Sequence, residues 1–305
     1  MRNILVTGGT VFVSRYVAEY FVKSGDNVYV LNRGTRPQVE GVTLLQEDRH
    51  HLGDLLKPYS FDAVLDVTAY TKEDVADLLE GLGQFEQYVL ISSSAVYPET
   101  LPQPFTEEMP CGANSIWGDY GTNKIEAEQY LLANVPKSYI LRPPYLYGPM
   151  QNLYREPFVF DCADADRTFY VPKDGSMPLQ FFHVEDLCRF IDILLTKKPN
   201  THVFNVGNPE PVDINTWVRL CYQAAGKEAR LCYVPEEKTA ESPGGIREYF
   251  CFRDYGYVLD VKKQQEWMPK NKSLLEGLRE SYEWYQKNRE TIGKKPYIQY
   301  IEKNL

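Results

Sequence analysis

Tyr120 and Lys124 stand four residues apart in Tyr120-Gly121-Thr122-Asn123-Lys124, the separation that puts two side chains on one face of a helix. A phenol titrates near 10, so acid or base work at neutral pH requires a neighbouring positive charge that favours the phenolate. The Lys124 ammonium is such a charge. Upstream, Leu90-Ile91-Ser92-Ser93-Ser94-Ala95-Val96-Tyr97 ends an apolar run in three successive hydroxyls. Each pattern has a plain counterpart, since Tyr-Lys pairs also decorate helices and serines also make polar turns. Their order along the chain, strand then serines then Tyr-x-x-x-Lys, favours chemistry.

The first apolar run empties into Thr7-Gly8-Gly9-Thr10-Val11-Phe12-Val13-Ser14 and then into a helix-period segment. Backbone N–H groups at a helix start, with its partial positive charge, form a seat for a pyrophosphate, and this context predicts a dinucleotide site. Gly8, Gly9, Thr10, Val11 and Phe12 are the expected cradle. A glycine turn that only joins strand to helix is the competing reading. After the second strand, NAD sites place an acid on the ribose 2'-hydroxyl. Here the chain reads Leu31-Asn32-Arg33-Gly34-Thr35-Arg36, without an acid. Arg33 and Arg36 suit a 2'-phosphate, which leans the expected NAD(P) cofactor towards NADP, whereas a solvated basic turn and an Asn32 bond to ribose are the alternatives.

The elements that must hold these groups follow from alternation. Apolar runs near 3–7, 28–31, 43–45, 63–67, 88–91, 138–141 and 202–206 read as strands, separated by segments of helical period. This predicts an α/β chain with a Rossmann-type, doubly wound parallel sheet. Val13, Tyr16, Val17, Tyr20 and Phe21 make one helical stripe that Gly25 stops. Further helices are expected over about 120–134 and 214–225, and Ser273-Leu274-Leu275-Glu276 reads as a capping box opening a last helix. Residues 1–150, with a returning segment near 178–215, are expected to form the dinucleotide half. A smaller C-terminal substrate-binding part takes 151–177 and 216–305, with a loop at 236–245 that carries Pro243-Gly244-Gly245.

A chain of 305 residues that is 43% hydrophobic can bury a sizeable core. The formal charge of -9 opposes the basic footprint of a nucleic-acid binder, making nucleic acid an unlikely partner. Six scattered cysteines without a C-x-x-C pair suggest buried thiols in a reducing compartment rather than a disulfide framework. No secretory pattern and no membrane-length apolar run is present, so a cytoplasmic location and no membrane partner are expected. No metal site is expected either: His50 and His51 are adjacent, and His183 and His202 lie apart.

Taken together, these segments resemble the NAD-dependent epimerase/dehydratase family, within the extended or atypical short-chain dehydrogenase/reductases. The serine segment is similar to the S-S-x-x-V-Y element of that family. Leu141-Arg142-Pro143-Pro144-Tyr145-Leu146-Tyr147-Gly148-Pro149 resembles its R-P-x-x-V-Y-G-P, Phe182-His183-Val184-Glu185-Asp186-Leu187 its F-x-H-V-x-D-L, and Phe204-Asn205-Val206-Gly207 adds a further match. The resemblance implies Tyr120 as general acid/base, Lys124 as its modifier and ribose ligand, and Ser93 as the polarising donor, with Ser92 and Ser94 as rivals. It also implies cofactor contacts from Asp48, Thr68, Ala69, Ser92 and Pro143, and substrate contacts from Ser94, Tyr145, Asn152 and His183. The expected ligand is a nucleotide sugar or a similar hydroxyl/carbonyl compound, to be epimerised, dehydrated or reduced, and the relatives suggest a homodimer through helices flanking the tyrosine.

Two departures stand out. The family's T-G-x-x-G-x-x-G is broken at Val11 and Ser14, although an atypical branch reading T-G-G-T-R-F-x-G also lacks the second glycine. The arginine that many epimerases carry four residues before the histidine of F-x-H-V is Leu179 here, and Arg247, Arg253 and Asn152 are the possible substitutes. A second class therefore stays open: a dinucleotide-binding protein without turnover, a redox sensor or RNA-associated factor, similar to the chloroplast stem-loop-binding proteins of the atypical branch.

Overall fold

The computed structural model describes residues 1–238 and 244–305, so residues 239–243 of the expected loop at 236–245 lie outside the described residues. Strand β1 (Asn3–Thr7) is followed by α1 (Phe12–Lys23), β2 (Asn27–Asn32), β3 (Thr43–Gln46), β4 (Ser60–Asp66), α2 (Lys72–Gly81), β5 (Gln84–Ile91), α3 (Asp119–Asn134) and β6 (Tyr139–Arg142). The chain then leaves through β7 (Tyr145–Tyr147), α4 (Glu156–Asp164), β8 (Phe169–Pro172) and β9 (Pro178–Leu179). It returns through β10 (Phe181–His183), α5 (Val184–Lys197) and β11 (Val203–Asn205). The remainder is β12 (Val212–Asp213), α6 (Ile214–Ala224), β13 (Leu231–Val234), α7 (Lys262–Trp267), α8 (Leu274–Asn288) and α9 (Tyr297–Asn304).

The seven expected strands assemble into one sheet of order β11-β6-β5-β4-β1-β2-β3, with every adjacent pair parallel. The order places β1 inside the sheet between β4 and β2, so the chain winds outward in both directions from the first strand. One face packs on α1 and α5 through Val17, Phe21, Leu187 and Ile191, and the other on α2 and α3 through Val75, Leu78, Ala127 and Leu131. Parallel strands covered on both faces are apolar throughout, which is why they read as uninterrupted runs.

A further core gathers α4, α6, α8 and α9 around Trp217, Phe158, Phe181 and Phe252. Thus β7 and β10, paired in parallel, hand the chain from the sheet to this second layer. The Ser273 capping box is present and opens α8. All six cysteines are free; Cys162, Cys188, Cys221 and Cys251 are buried, whereas Cys111 is half-buried and Cys232 exposed, against the expectation of uniform burial. Among the described residues no helix is long and apolar enough to cross a membrane.

Candidate active site

The strand ends and the start of α3 determine where the chemical groups meet. Gly121, beside Tyr120, packs so closely on the turn after β5 that a Cβ there would lie 2.5 Å from the Ala95 carbonyl oxygen. Asn114 Nδ2 donates to that same oxygen at 2.6 Å. The first turn of α3 is thereby clamped to the serine turn. Ser93 accepts from the Ala95 N–H at 3.2 Å, and its side chain hydrogen-bonds the Tyr120 phenol.

Burial pushes the Tyr120 phenol above its ordinary value, and the Ser93 hydrogen bond offsets this only in part. The expected depression by Lys124 is not found. Lys124, one turn along α3 and 2% exposed, donates to the Ala69 and Ile91 carbonyls at 2.6 and 2.9 Å. Its ammonium stands 6.0 Å from the Tyr120 ring and 5.0 Å from the Tyr70 ring, so with its bonds given to backbone oxygens it acts on the phenol through space and not by a direct bond. Burial lowers the Lys124 pKa to about 8, while Asp66, Glu128 and Asp74 act to keep the proton and Arg49 opposes them.

Tyr120, Lys124, Ser93 and Ser92 open on a cleft of about 490 Å³. The loop Val11 to Ser14 at the start of α1 lines the same cleft, as do Thr68, Pro143, Tyr145 and Asn152. Arg155, Arg247 and Arg253 join Lys124 along the wall, and no Asp or Glu is among the described lining residues. Four cations without an acid, in a chain of net charge -9, make this a seat for phosphate-bearing ligands.

The NAD dependent epimerase/dehydratase family matches residues 4–207, from β1 to just beyond β11. The chain belongs to that family. The chloroplast stem-loop binding protein of 41 kDa b from Arabidopsis thaliana is 29% identical, over 92% of this chain and 78% of its own length. UDP-arabinose 4-epimerase 1 of the same plant is 24% identical over 96% of this chain and 81% of its own length. Among solved structures, UDP-glucose 4-epimerase from Thermotoga maritima superposes with a TM-score of 0.75 at 21% identity, covering 94% of this chain and 99% of that chain. This likeness confirms the Rossmann-type fold.

The residues fit the dinucleotide that the family name implies. Gly8 and Gly9 have φ of +87° and +84°; a Cβ on the first would lie 2.8 Å from Thr68 Cγ2 and on the second 2.6 Å from Val30 Cγ1. Only glycine allows the loop to fold this closely over the sheet. Val11 caps α1 without a side-chain hydrogen bond, and Ser14 Oγ donates to the Val11 carbonyl at 3.0 Å. Phe12 starts the helix at φ +31°, a strained value for a side-chain-bearing residue.

Other expected members of this family's site are placed differently. Asn32 Nδ2 donates to the Gly8 carbonyl at 2.6 Å and its Oδ1 accepts from the Gly34 N–H at 2.9 Å, so the side chain braces the two loops against each other. Arg33 and Arg36 are exposed and make no ion pair among the described residues. Asp48 accepts from the His50 N–H at 3.1 Å, capping a short turn outside the cleft lining, and the Ala69 carbonyl is engaged with Lys124. Ser92 Oγ donates to Glu128 behind the cleft, which leaves Ser93 as the serine that meets Tyr120.

Two substrate expectations need correcting: the structure does not bring Ser94 or His183 to the cleft. Ser94 is buried in the turn, its N–H donating to the Pro143 carbonyl at 2.9 Å. His183 is fully buried at the start of α5, its Nδ1 accepting from the Glu185 N–H at 3.3 Å and its ring 5.1 Å from that of Tyr147. Burial, with the Lys272 charge, lowers its pKa to about 3 and keeps it neutral. His183, Glu185 and Glu280 bring ligand atoms within 4.8 Å of one another, but the Lys272 ammonium already lies between the two glutamates, 2.6 Å from Glu280 Oε1.

Sequence reasoning missed Arg155, Tyr70, Trp117 and Glu128. The first three come from separate loops with no shared period. Glu128 follows Lys124 at the spacing that relates Lys124 to Tyr120, so one helical face carries all three, a signal the sequence did offer.

Proposed function

We propose that this chain is an NAD(P)-dependent enzyme acting on a nucleotide sugar or a closely similar hydroxyl/carbonyl compound. The observation that carries the reading is one cleft floor on which Tyr120, Ser93 and Lys124 face the α1 loop, amid four cations and no acid. Val11 to Ser14 and the glycine turn would hold the dinucleotide, which supplies the hydride acceptor or donor. Arg33 and Arg36, exposed in the stretch Leu31 to Arg36 that carries no acid after β2, favour NADP over NAD.

Because burial raises its pKa, Tyr120 stands as a protonated phenol at neutral pH, suited to giving its proton to an oxygen that gains negative charge. In the reverse direction the same oxygen takes the hydroxyl proton, and the Lys124 charge then stabilises the phenolate. Ser93, already on the phenol, donates to the reacting oxygen and sets its distance. Arg247, Arg253 and Arg155 would pair with the diphosphate of the substrate in place of the arginine that Leu179 replaces, and Tyr145 and Asn152 would flank the sugar. Solved structures of similar fold in complex with UDP-glucose or UDP-glucuronic acid and NAD support this class of ligand.

The test is mass spectrometry of small molecules released from the folded chain, followed by a panel of nucleotide sugars with NADPH and NADH. Tyr120→Phe is expected to lower turnover by roughly 10²–10⁴-fold while leaving cofactor fluorescence titrations within about threefold of the parent. Turnover surviving that substitution would remove Tyr120 from the reaction.

A second reading, a nucleotide-binding protein without turnover, is favoured by the 29% identity with the stem-loop binding protein over 92% of this chain. Its mark is salt-sensitive RNA binding with no turnover on the whole panel.

A further inference from the structure

Behind the serine turn lies a buried charged chain that the reaction as described does not use. Glu128, 3% exposed, accepts from Ser92 Oγ and from Arg142, whose Nε stands 3.1 and 3.2 Å from its two oxygens and whose terminal nitrogen stands 2.5 Å from one of them. Arg142, itself 5% exposed, also donates to the Tyr97 hydroxyl at 2.8 Å. That hydroxyl donates to Asn205 Oδ1 at 2.7 Å, and the Asn205 N–H donates to Glu107 at 2.9 Å. The chain therefore ties together the ends of β5, β6 and β11 at the sheet edge beside the cleft, with α3 packed across them.

We propose that the Glu128–Arg142 pair is a positioning unit for the reacting groups: it fixes the Ser92-Ser93 turn from behind and places, through Glu128, one of the negative charges on the α3 face that carries Lys124. The inference rests on the reading of Tyr120, Ser93 and Lys124 given above. Its geometric ground is that Glu128 shares one face of α3 with Tyr120 and Lys124 and touches the residue before Ser93. A buried carboxylate bonded only to an arginine would be an ordinary structural pair; this one spends a further bond on the serine turn.

The charged surroundings of Lys124 can be named from each side. Asp66, at the end of β4, is paired with Arg49 at 2.7 Å; Asp74 lies at the start of α2, 3.8 Å from Arg49; Glu128 lies on α3; and the Tyr70 and Tyr120 rings cover the ammonium. Asp66, Glu128 and Asp74 favour the charged lysine and Arg49 disfavours it. Removing Glu128 takes away one of the few groups that hold the proton in a site where burial expels it.

The experiment is Glu128→Gln in the full chain, with two readouts. The first is the pH midpoint of Lys124, measured by competitive lysine labelling and mass spectrometry, which needs no turnover. The second is the pair kcat and KM on whatever substrate the panel reveals. Expected are a Lys124 midpoint lower by about half to one unit, a kcat lower by ten- to a hundredfold, and a KM and NADPH affinity within about threefold. Glu128→Asp should recover part of both.

Glu128→Gln leaves Arg142 buried without its partner, which can prevent folding. The paired replacement Glu128→Met with Arg142→Met removes both charges together and is expected to shift the lysine midpoint in the same direction by less, because a cation leaves with the anion. An unchanged Lys124 midpoint in a folded variant, or a KM that rises with no change in kcat, overturns the proposal. A parent chain that turns over nothing while its lysine still shifts on substitution would sink the enzymatic reading and leave the electrostatic half of this inference standing.

Discussion

At the scale of single residues, the pair Tyr120 and Lys124 is tuned by burial more than by mutual contact. The phenol is pushed up and the ammonium down to about 8, so two groups with nearly equal ordinary values are driven apart. The sign of the resulting pH dependence follows directly. Below about 8 Lys124 is charged and can stabilise the phenolate; as pH rises through that value the ammonium loses its proton and that support goes with it. The kcat/KM of the free enzyme should therefore fall on an alkaline limb near 8, about tenfold per pH unit. Tyr120 cannot produce this limb, because its own ionisation lies above the ordinary phenol value. A profile flat to pH 10 would show that the lysine charge plays no part in the reaction.

At the scale of elements, the start of α1 decides how a dinucleotide lies down. Val11 is a poor helix cap, having no side-chain acceptor, and glycine ranks well above valine at that position. Its side chain also lines the cleft, where the family pattern has glycine. Val11→Gly is thus expected to tighten NADPH binding several-fold without lowering the melting temperature, as read by fluorescence titration and thermal unfolding; unchanged or weaker binding would show that the valine does not obstruct the phosphates. The same element shows what a sequence reveals. The stripe Val13 to Phe21 was legible because one face of α1 is buried and the other wet. By contrast α4 escaped, since Glu156 to Phe160, Cys162 and Ala163 are all buried and leave no polar face to set a period. The helix α5 carries the buried stripe Val184, Leu187, Cys188, Ile191, Leu194, Leu195, a helical period that is legible within the same segment as Phe182-His183-Val184-Glu185-Asp186-Leu187.

At the scale of the whole molecule, an acidic surface surrounds a cationic cleft, and the site divides into what one segment contributes and what only the fold assembles. Tyr120, Lys124 and Ser93 were readable because short spacing on a strand end and a helix fixes them. Arg155, Arg247 and Arg253 arrive from the start of α4 and from the chain between β13 and α7, so only packing of the second layer on the sheet brings them to the wall of the cleft that Tyr120 faces. Arg253 lies over the Trp117 ring at 4.7 Å, and that ring is 6.0 Å from Tyr120, which joins the guanidinium to the aromatic cluster around the phenol. A charge-assisted bond from arginine to phosphate contributes roughly 1.5–3 kcal/mol, so Arg253→Ala should weaken a nucleotide sugar by about ten- to a hundredfold. Cofactor affinity should stay within about twofold, because the proposed seat of the dinucleotide is the Val11 to Ser14 loop and not Arg253. Isothermal titration at two salt concentrations checks both statements, since loss of the guanidinium should also flatten the dependence on salt. Equal losses for cofactor and sugar would mean that Arg253 supports the cleft as a whole, and no loss for either would return the diphosphate to Arg155 and Arg247.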